Sequence, residues 1–337
     1  MAQFEKNPKR QLSMTDTMRA VHCKHFKPEV VQVPRPKGEG VKVKVVSSGI
    51  CGSDLHMLSY SENRSATLGH EVAGILGDGK PVAIEPIAAC GQCDYCQSGH
   101  YNHCELGMGM LFGIGLDGGM ADEILVPERC LVPLPSGLPA SDACLVEPMA
   151  VSLHGLRLAT NSNVKNAAVI GGGTIGLCAV AAAISENLNT TLFARHDSQQ
   201  RAGEILGAAL GTTVDTTLNK TGLYDLVIDA AGTTSSLEQA VRLCKPKATL
   251  LLVATYWDGM VLPGMEVCMK EIQIIPAAMY SQHGKLRDVD WAAQVLAQNP
   301  LIPEVMITHR FPLEAAAEAF ETAANRASGA IKVVLEP

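Results

Sequence analysis

The chain has 337 residues, of which 47% are hydrophobic and 18% are charged, and its formal net charge is −7 at pH 7. This length suits two domains rather than one small core, and the acidic balance argues against binding to a nucleic-acid backbone or an anionic membrane surface. No run approaches the roughly 20 uncharged apolar residues that a membrane-spanning helix needs, so we expect a soluble protein with two lobes.

The cysteine count and the N-terminus indicate a reducing compartment. Eleven cysteines are an odd number, and MAQFEKNPKR lacks the apolar region of a secretory signal. We therefore expect a cytoplasmic protein, in which closely spaced cysteines bind metals more often than they form disulfides. Residues 1–17 are polar, and we interpret them as a flexible leader. The low share of charged residues favours a homo-oligomer, because an average domain has about 25%.

Short β-branched runs broken by glycine and proline follow the leader and predict a β-rich first lobe. They are VKVKVV at 41–46, VAGIL at 72–76 and PVAIEP at 81–86. Three segments of this half carry groups that bind metals: GICGSDLH with Cys51, LGHEVAG with His70 and Glu71, and LVEPMAV with Glu147. A thiolate, an imidazole and a carboxylate around one Zn²⁺, with one open position, form the ligand set of a catalytic zinc site.

A second metal site is predicted from a dense cysteine array. Cys90, Cys93, Cys96 and Cys104 form the pattern C-x2-C-x2-C-x7-C. Four thiolates this close can complete a tetrahedral shell around Zn²⁺ and leave no open position, which is typical of a structural site. The alternative, a pair of disulfides, is disfavoured in a reducing compartment. We therefore expect two zinc ions per chain.

From residue 151 the sequence alternates apolar strand-like runs with Ala- and Leu-rich helical stretches, which is typical of βαβ units and a parallel sheet. The first such unit contains GGGTIG between a strand-like run and an apolar helix, so it follows the G-x-G-x-x-G pattern of a dinucleotide-binding turn. Gly171 permits the tight turn, Gly173 lets the backbone approach a pyrophosphate, and Gly176 allows close packing. Thr174 and Ile175 complete the turn, and the apolar helix LCAVAAAISEN that follows would offer the free N–H groups of its N-terminus to the anion.

The next strand, TTLFA, predicts the form of the cofactor. An acidic residue usually follows that strand when NAD is bound, but Arg195 and His196 stand there instead. A guanidinium pairs well with the 2′-phosphate of NADP, so we expect a preference for NADP(H). The alternative is NAD(H), with Asp197 binding the ribose after a small shift of the loop.

The last part of the chain predicts a return to the first lobe. DVDWAAQVLAQ and PLEAAAEAFETAANR have helical spacing, and AIKVVLE reads as a closing strand. We therefore assign 18–150 and 286–337 to one catalytic domain and 151–285 to a Rossmann domain with a doubly wound parallel sheet. Six further cysteines lie in apolar runs and are expected to be buried, namely Cys23, Cys130, Cys144, Cys178, Cys244 and Cys268.

Taken together, GICGSD, GHE, the four-cysteine array, EPMAV, GGGTIG and ITHRFPLEAAAEAF resemble, in this order, the zinc-dependent alcohol dehydrogenases of the medium-chain dehydrogenase/reductase superfamily. The resemblance implies a GroES-like catalytic domain, a Rossmann domain, and assembly into homodimers or homotetramers. It also implies that Cys51 and His70 are the first two catalytic zinc ligands. Glu147 resembles the third, in the Glu-Pro form similar to polyol and sugar dehydrogenases. Glu71 is then either a carboxylate behind the ligands or a ligand that exchanges with water.

The same resemblance assigns a proton path and a reaction. Ser53 resembles the hydroxyl that receives the substrate proton, and His56 resembles the next member of the relay. The expected activity is hydride transfer between NADP(H) and an alcohol or carbonyl, with a small polyol, sugar or other secondary alcohol as substrate. Two alternatives remain, an NAD(H)-dependent enzyme of the sorbitol or threonine dehydrogenase type, and a carbonyl reductase that works mainly in the reducing direction.

Overall fold

The computed structural model describes residues 16–161, 163–211 and 222–337, so positions 1–15 of the predicted leader lie outside the described residues. The strands are β1 Thr17–Lys24, β2 Lys27–Pro34, β3 Val41–Gly49, β4 Asn63–Arg64, β5 Glu71–Leu76, β6 Pro81–Ile84, β7 Glu123–Val126, β8 Leu131–Pro133, β9 Asn166–Ile170, β10 Asn189–Phe193, β11 Ala209–Leu210, β12 Tyr224–Asp229, β13 Cys244–Leu252, β14 Gln273–Pro276, β15 Gln282–His283, β16 Leu286–Arg287, β17 Ile307–Pro312 and β18 Lys332–Glu336.

The α-helices are α1 Gly52–Tyr60, α2 Asp94–Gln97, α3 Val146–Ala159, α4 Thr174–Ser185, α5 Asp197–Ile205, α6 Thr234–Leu243, α7 Gly264–Lys270, α8 Asp288–Gln298, α9 Leu301–Met306 and α10 Ala316–Ala324. Short 3₁₀ turns span Tyr101–His103, Gly107–Met110, Glu128–Cys130, Ala143–Leu145, Leu313–Ala315 and Arg326–Ser328. No helix in the described ranges is both long enough and apolar enough to cross a membrane.

The first lobe is built on a seven-stranded sheet with the order β17-β18-β3-β5-β6-β8, in which β7 also pairs with β3. In β3 the valines at 43 and 45 are buried while Lys42 and Lys44 are exposed, as expected for a strand with one face on the core. A separate three-stranded sheet, β2-β1-β4, lies in the same lobe. The predicted β-rich half is therefore present.

The second lobe contains a six-stranded parallel sheet with the order β11-β10-β9-β12-β13-β14. Its central strands, such as Leu226–Ile228 of β12, are fully buried, because helices cover both faces of a parallel sheet. Counted within the sheet, the order is 3-2-1-4-5-6, that of a doubly wound nucleotide-binding fold. The order reverses between β9 and β12, which is where such sheets bind ligands at their carboxyl ends.

Strands from both ends of the chain meet in the first sheet. β18 pairs in parallel with β17 and antiparallel with β3, opposite Ser48 and Gly49. The preceding helix α8 packs against α3, and α10 packs on β18. Strand β17 and helix α9 were not among the predicted elements, since THRFP and the short run around Pro303 carry little periodicity.

Candidate catalytic metal centre and cofactor cleft

The predicted catalytic ligands are brought together by the pairing of β3 with β5. Gly49 lies opposite Glu71 in this antiparallel ladder, so Cys51, just beyond the end of β3, lies close to the start of β5. His70 immediately precedes β5 and is buried. One donor atom from each of Cys51, His70 and Glu71 lies within 4.8 Å of the other two. The register of two strands therefore creates the cluster from residues 20 positions apart.

Gly49 is required by the same geometry. A Cβ atom at this position would lie 2.1 Å from Oε2 of Glu71, which is far below a van der Waals contact. Any side chain at residue 49 would therefore displace the carboxylate from the cluster.

Ser53 and Asp54 flank the imidazole of His70. The hydroxyl of Ser53 lies 3.3 Å from Nε2, and Oδ1 of Asp54 lies 3.5 Å from Nδ1. Asp54 is fully buried, and its other oxygen accepts a hydrogen bond of 2.9 Å from the backbone N–H of Cys51. A carboxylate behind a ligating histidine fixes its orientation and tautomer. The sequence analysis gave Asp54 no role, although an acid three residues after the metal-binding cysteine was a usable signal.

Glu71 has a buried partner that the sequence analysis also missed. The ammonium of Lys332 on β18 contacts Oε2 of Glu71 and donates a 3.0 Å hydrogen bond to the carbonyl of Ile50. Both charged side chains are only 1% exposed. The signal was a lysine at an inward position of the apolar strand AIKVVLE. Its contact uses one oxygen of Glu71 and leaves Oε1 available to a metal.

Glu147 lies in the first turn of α3 and is partly buried. It is close enough to His70 and Glu71 to interact with their charges, but it does not belong to the three-residue donor cluster. Burial, and next the charge of Glu71, raise the pKa of Glu147 to about 7 against the attraction of His70. The geometry thus places Glu71 nearer the other donors, and the predicted choice between Glu71 and Glu147 as third ligand stays open.

The charges around His70 fit a divalent cation. Burial favours the neutral imidazole, but the charges of Asp54, Cys51 and Glu147 outweigh it and raise the pKa of His70 well above its usual value. The Nδ1 atom of His70 is buried and makes no hydrogen bond with any described residue. Sulfur, nitrogen and carboxylate oxygen are the donors that Zn²⁺ prefers in catalytic sites. The residues present therefore fit a zinc ion.

The four-cysteine array also forms a compact donor set. One sulfur from each of Cys90, Cys93, Cys96 and Cys104 lies within 4.8 Å of the others. The backbone N–H groups of Gln92 and Cys93 donate to Cys90 Sγ, and they lower its pKa to about 6. All eleven cysteines lie in the described ranges and all are free thiols. The arrangement fits a structural Zn²⁺ with four thiolate ligands.

The glycine-rich turn has the geometry expected for a dinucleotide. Gly171 follows β9 with φ +100°, a conformation that favours glycine. A Cβ at Gly176 would lie 1.8 Å from the carbonyl oxygen of Gly171, whereas a Cβ at Gly173 would meet no atom within 4 Å. The space beside Gly173 is therefore open to a ligand at the N-terminus of α4, which begins with Thr174 and Ile175.

The turn and the metal cluster are linked through the end of the chain. The hydroxyl of Thr174 donates a 3.0 Å hydrogen bond to the carbonyl of Ile331. The next residue, Lys332, contacts Glu71. The glycine-rich turn and the donor cluster are therefore linked through two consecutive residues of the chain.

Arg195 and His196 follow β10 at the carboxyl edge of the parallel sheet. The guanidinium of Arg195 is exposed and lies 3.4 Å from the hydroxyl of Ser235 at the start of α6. His196 is the N-cap residue of α5. The nearby carboxylate of Asp229 is fully buried and accepts hydrogen bonds from Ala231, Gly232, Ser236 and Tyr256, so it is already satisfied within the protein.

His56 lies on α1 of the first lobe, and its ring contacts a residue of the second lobe. Its ring stacks on Trp257, with centroids 4.8 Å apart and an interplanar angle of 19°. Trp257 in turn lies 6.0 Å from Tyr60, one turn further along α1. Trp257 follows β13 of the nucleotide-binding sheet, so the stack joins the two lobes. Sequence reasoning could not foresee this contact, because His56 and Trp257 are about 200 residues apart in the chain.

One expected burial is wrong. Cys268 is exposed, because α7 is a short helix without buried residues. The other five cysteines of that group are buried, as predicted.

The chain is similar to known dehydrogenases over nearly its whole length. Residues 37–136 match the family model described as alcohol dehydrogenase GroES-like domain, and residues 140–336 match that described as glucose dehydrogenase C-terminus. The chain is 30% identical over 322 residues to galactitol 1-phosphate 5-dehydrogenase of Escherichia coli strain K12, which covers 88% of this chain and 92% of that protein. It is 28% identical over 330 residues to L-galactonate-5-dehydrogenase of the same strain, with 90% and 95% covered.

A solved structure supports the same similarity. A zinc-binding dehydrogenase from Sinorhizobium meliloti 1021, bound to NADP, superposes with a TM-score of 0.83 and 26% identity. The superposition covers 95% of this chain and 99% of that protein. The predicted fold class, a GroES-like domain with a Rossmann domain, is confirmed by these matches.

Proposed function

Because the chain belongs to the zinc-type alcohol dehydrogenases of the medium-chain superfamily, whose relatives here are polyol dehydrogenases, we propose that it transfers a hydride between NADP(H) and a secondary alcohol or carbonyl of a polyol or sugar. The observation that carries the proposal is the convergence of Cys51, His70 and Glu71 near the glycine-rich turn, to which they are linked through Ile331 and Lys332.

Zinc bound at this cluster would supply a Lewis acid for the oxygen of an alcohol or carbonyl. Cys51 and His70 provide two ligands, and Glu71 provides a third through the oxygen that Lys332 does not contact. Glu147 is the alternative third ligand, or a carboxylate that holds water beside the ion. Asp54 orients the imidazole, and Lys332 holds Glu71 in place.

A proton leaves the reacting alcohol through the chain's own hydroxyl and imidazole groups. Ser53 lies 3.3 Å from His70, so its hydroxyl stands beside the ligand cluster. His56, one turn further along the same helix, is exposed and can exchange a proton with solvent. The two groups are three residues apart on α1.

Arg195 supports the preference for NADP(H). Its guanidinium is exposed, and its hydrogen-bond partner is the neutral hydroxyl of Ser235. Hydroxyl and guanidinium groups together suit a ribose 2′-phosphate, because both donate to anionic oxygens. The carboxylate oxygens of Asp229 already accept hydrogen bonds from Ala231, Ser236 and Tyr256, so this residue is not available to a ribose. The alternative, NAD(H), requires Asp197 at the first turn of α5 to bind the ribose.

The substrate class rests on the carboxylates at the cluster. The donor set of one thiolate, one imidazole and glutamate is the form that resembles polyol and sugar dehydrogenases, and two relatives act on a sugar-alcohol phosphate and a sugar acid by name. Substrate oxidation and carbonyl reduction use the same groups in opposite directions. A carbonyl reductase that works mainly towards the alcohol therefore remains the alternative direction.

A panel of polyols, sugar acids, sugar phosphates and matching ketoses, each assayed with both cofactors, tests the proposal. We expect a polyol or its ketose to react with a kcat/KM at least about tenfold higher with NADP(H) than with NAD(H), which corresponds to about 1.4 kcal/mol. A clear preference for NAD(H) would reject the cofactor assignment. Turnover restricted to simple alkanols would reject the substrate class.

A further inference from the structure

Tyr280 is a buried tyrosine in a segment that contacts residues 90–104, which contain the four-cysteine array and are called the four-cysteine lobe below. The segment around it follows β14 and is held on both sides by residues of the 3₁₀ turn Tyr101–His103 in that lobe. The amide of Asn102 donates a 3.0 Å hydrogen bond to the carbonyl of Ala278, and the hydroxyl of Tyr101 donates a 2.9 Å hydrogen bond to the carbonyl of Ser281. Tyr280 lies between these two attachment points.

The same segment is also attached to α3, the helix that carries Glu147. The backbone N–H of Ser281 donates a 2.9 Å hydrogen bond to Asp288. Asp288 is buried, and its carboxylate pairs with His154 at 2.8 Å and with Arg157 at 2.7 Å. Because His154 and Arg157 are on α3, the segment bridges the four-cysteine lobe and the helix that positions Glu147.

The backbone beside Tyr280 is in an unfavourable conformation. Met279 has φ +54°, which lies in the left-handed region that methionine rarely adopts. Such a residue persists only where the surrounding structure determines it, and it costs on the order of 1–3 kcal/mol. The attachments at Ala278 and Ser281 provide that constraint. The residue that follows, Tyr280, has its side chain buried in the core.

Packing of the core accounts for the ring of Tyr280 but not for its hydroxyl. Tyr280 is 0% exposed, and its hydroxyl faces the carboxylate of Glu147 without reaching full hydrogen-bond geometry with it or with another described residue. Burial, and next the charge of Glu147, raise the pKa of Tyr280 well above its usual value. Leaving a buried hydroxyl without a partner costs about 1–3 kcal/mol, so phenylalanine would be the better residue if the ring only filled space.

We propose that Tyr280 is a positioning residue for the Glu147 carboxylate, and that the four-cysteine lobe acts on the catalytic site through it. The inference rests on the proposed function only in that Glu147 lies at the catalytic site, as the alternative third ligand or as a carboxylate beside the ion. The Tyr280 hydroxyl donates to Glu147 when the site is loaded, and this contact fixes the distance of the carboxylate from the cluster of Cys51, His70 and Glu71.

The substitution Tyr280→Phe tests the proposal because it removes only the hydroxyl. We expect kcat to fall about tenfold or more, with KM changed less than about threefold, since loss of a group behind a metal ligand typically costs 10–100-fold in activity or metal affinity. In protein loaded with Co²⁺ we also expect a shift of the visible absorption bands that arise from the Cys51 site. This spectrum requires no substrate, so it tests Tyr280 even if no polyol reacts.

A double-mutant comparison tests the role of Glu147 itself. If Tyr280 acts through this carboxylate, adding Tyr280→Phe to Glu147→Gln produces little further change in kcat or in the Co²⁺ spectrum. The proposal is overturned if Tyr280→Phe leaves both properties unchanged, or if its full effect persists in the Glu147→Gln background.

The contribution of the lobe is tested without touching Tyr280. Tyr101→Phe removes the contacts of the hydroxyl with the carbonyl of Ser281 and with the carboxylate of Glu85, and we expect it to reproduce part of the Co²⁺ spectral shift. Tyr95→Phe is the matched control, because Tyr95 is on the same lobe, is 51% exposed and makes no hydroxyl contact with the segment. Equal spectra for both variants and the parent would overturn the link from lobe to catalytic site.

Discussion

Cys51 is the only sulfur donor in the catalytic cluster, and its position at the N-cap of α1 depends on the end of β3. Replacement by serine removes the thiolate while it preserves the size of the side chain. We expect Cys51→Ser to abolish turnover and to lower the zinc content from about two to about one per chain. Affinity for NADP⁺, measured by fluorescence titration, should stay within about threefold of the parent because the glycine-rich turn is unchanged. Parental turnover would reject the assignment.

Arg195 is exposed at the edge where the cofactor ribose is predicted. We expect Arg195→Ala to lower kcat/KM for NADP(H) by about 10–100-fold, since a charge-assisted contact to phosphate is lost, and to leave NAD(H) nearly unaffected. Arg242→Ala is the control. This exposed arginine lies in the last turn of α6, whereas Arg195 contacts Ser235 at the start of that helix. Equal losses with both cofactors would argue against a phosphate contact.

Glu85 links stability to pH. Burial raises the pKa of this glutamate from 4.5 to about 7, against the attraction of Arg287. Between these two values the folded protein keeps a proton that the unfolded chain releases, so stability falls as the pH rises through this window. The contribution is on the order of 3 kcal/mol. We expect Glu85→Gln to remove this dependence, so that the variant gains stability relative to the parent between pH 5 and pH 8.

Urea denaturation at pH 5 and at pH 8 measures the effect of Glu85→Gln on the free energy of unfolding. Glu39→Gln, at an exposed position, is the control. A stability difference between Glu85→Gln and the parent that does not change with pH would contradict the prediction.

Among single residues, those in a contiguous motif could be predicted and those that complete the site from elsewhere could not. Cys51 and His70 stand in short motifs that indicate metal binding. Asp54 and Lys332 became visible only through their contacts with His70 and Glu71. A buried charge is costly without a partner, but the sequence does not say which strand will supply that partner.

The four-cysteine lobe, residues 90–104, is an element with little regular structure of its own. It contains the single-turn helix α2 and the 3₁₀ turn Tyr101–His103, so we expect the proposed zinc ion to supply much of its stability. We expect Cys93→Ser to lose one zinc per chain and to lower Tm by roughly 5–10 °C. The main effect should be on stability, and kcat measured at 25 °C, well below the transition, should change little. A stable variant with full zinc content would contradict a structural metal site.

Elements with a strong local pattern were predicted, whereas those defined by their neighbours were not. The turn at 171–176 has glycine at each position that the geometry demands, and the alternation after residue 151 indicated a parallel sheet. Helix α1 was missed because its sequence, GSDLHMLSY, is dominated by metal-site residues and only Asp54, Met57 and Leu58 are buried. The register of β3 with β5, which assembles the cluster, is a long-range property that no window of sequence contains.

The stack of His56 on Trp257 belongs to the whole molecule, because it joins the two lobes across the cleft. The chain has two tryptophans, so Trp291→Phe leaves Trp257 as the only tryptophan fluorophore. In that background we expect His56→Ala to move the emission maximum to longer wavelength, because loss of the stacked ring exposes the indole. Addition of NADP⁺ should also change the emission. A spectrum insensitive to both changes would show that the stack does not persist in solution.

The placement of β18 has a consequence for biosynthesis. This strand is synthesised after the strands it pairs with, yet it lies between β17 and β3 and brings Lys332 to Glu71. The nascent polypeptide can therefore form the parallel sheet before β18 has emerged, whereas Glu71 meets its Lys332 partner only afterwards. A ribosome stalled before residue 332 would carry the complete parallel sheet, together with Cys51, His70 and a Glu71 that still lacks its buried ammonium partner.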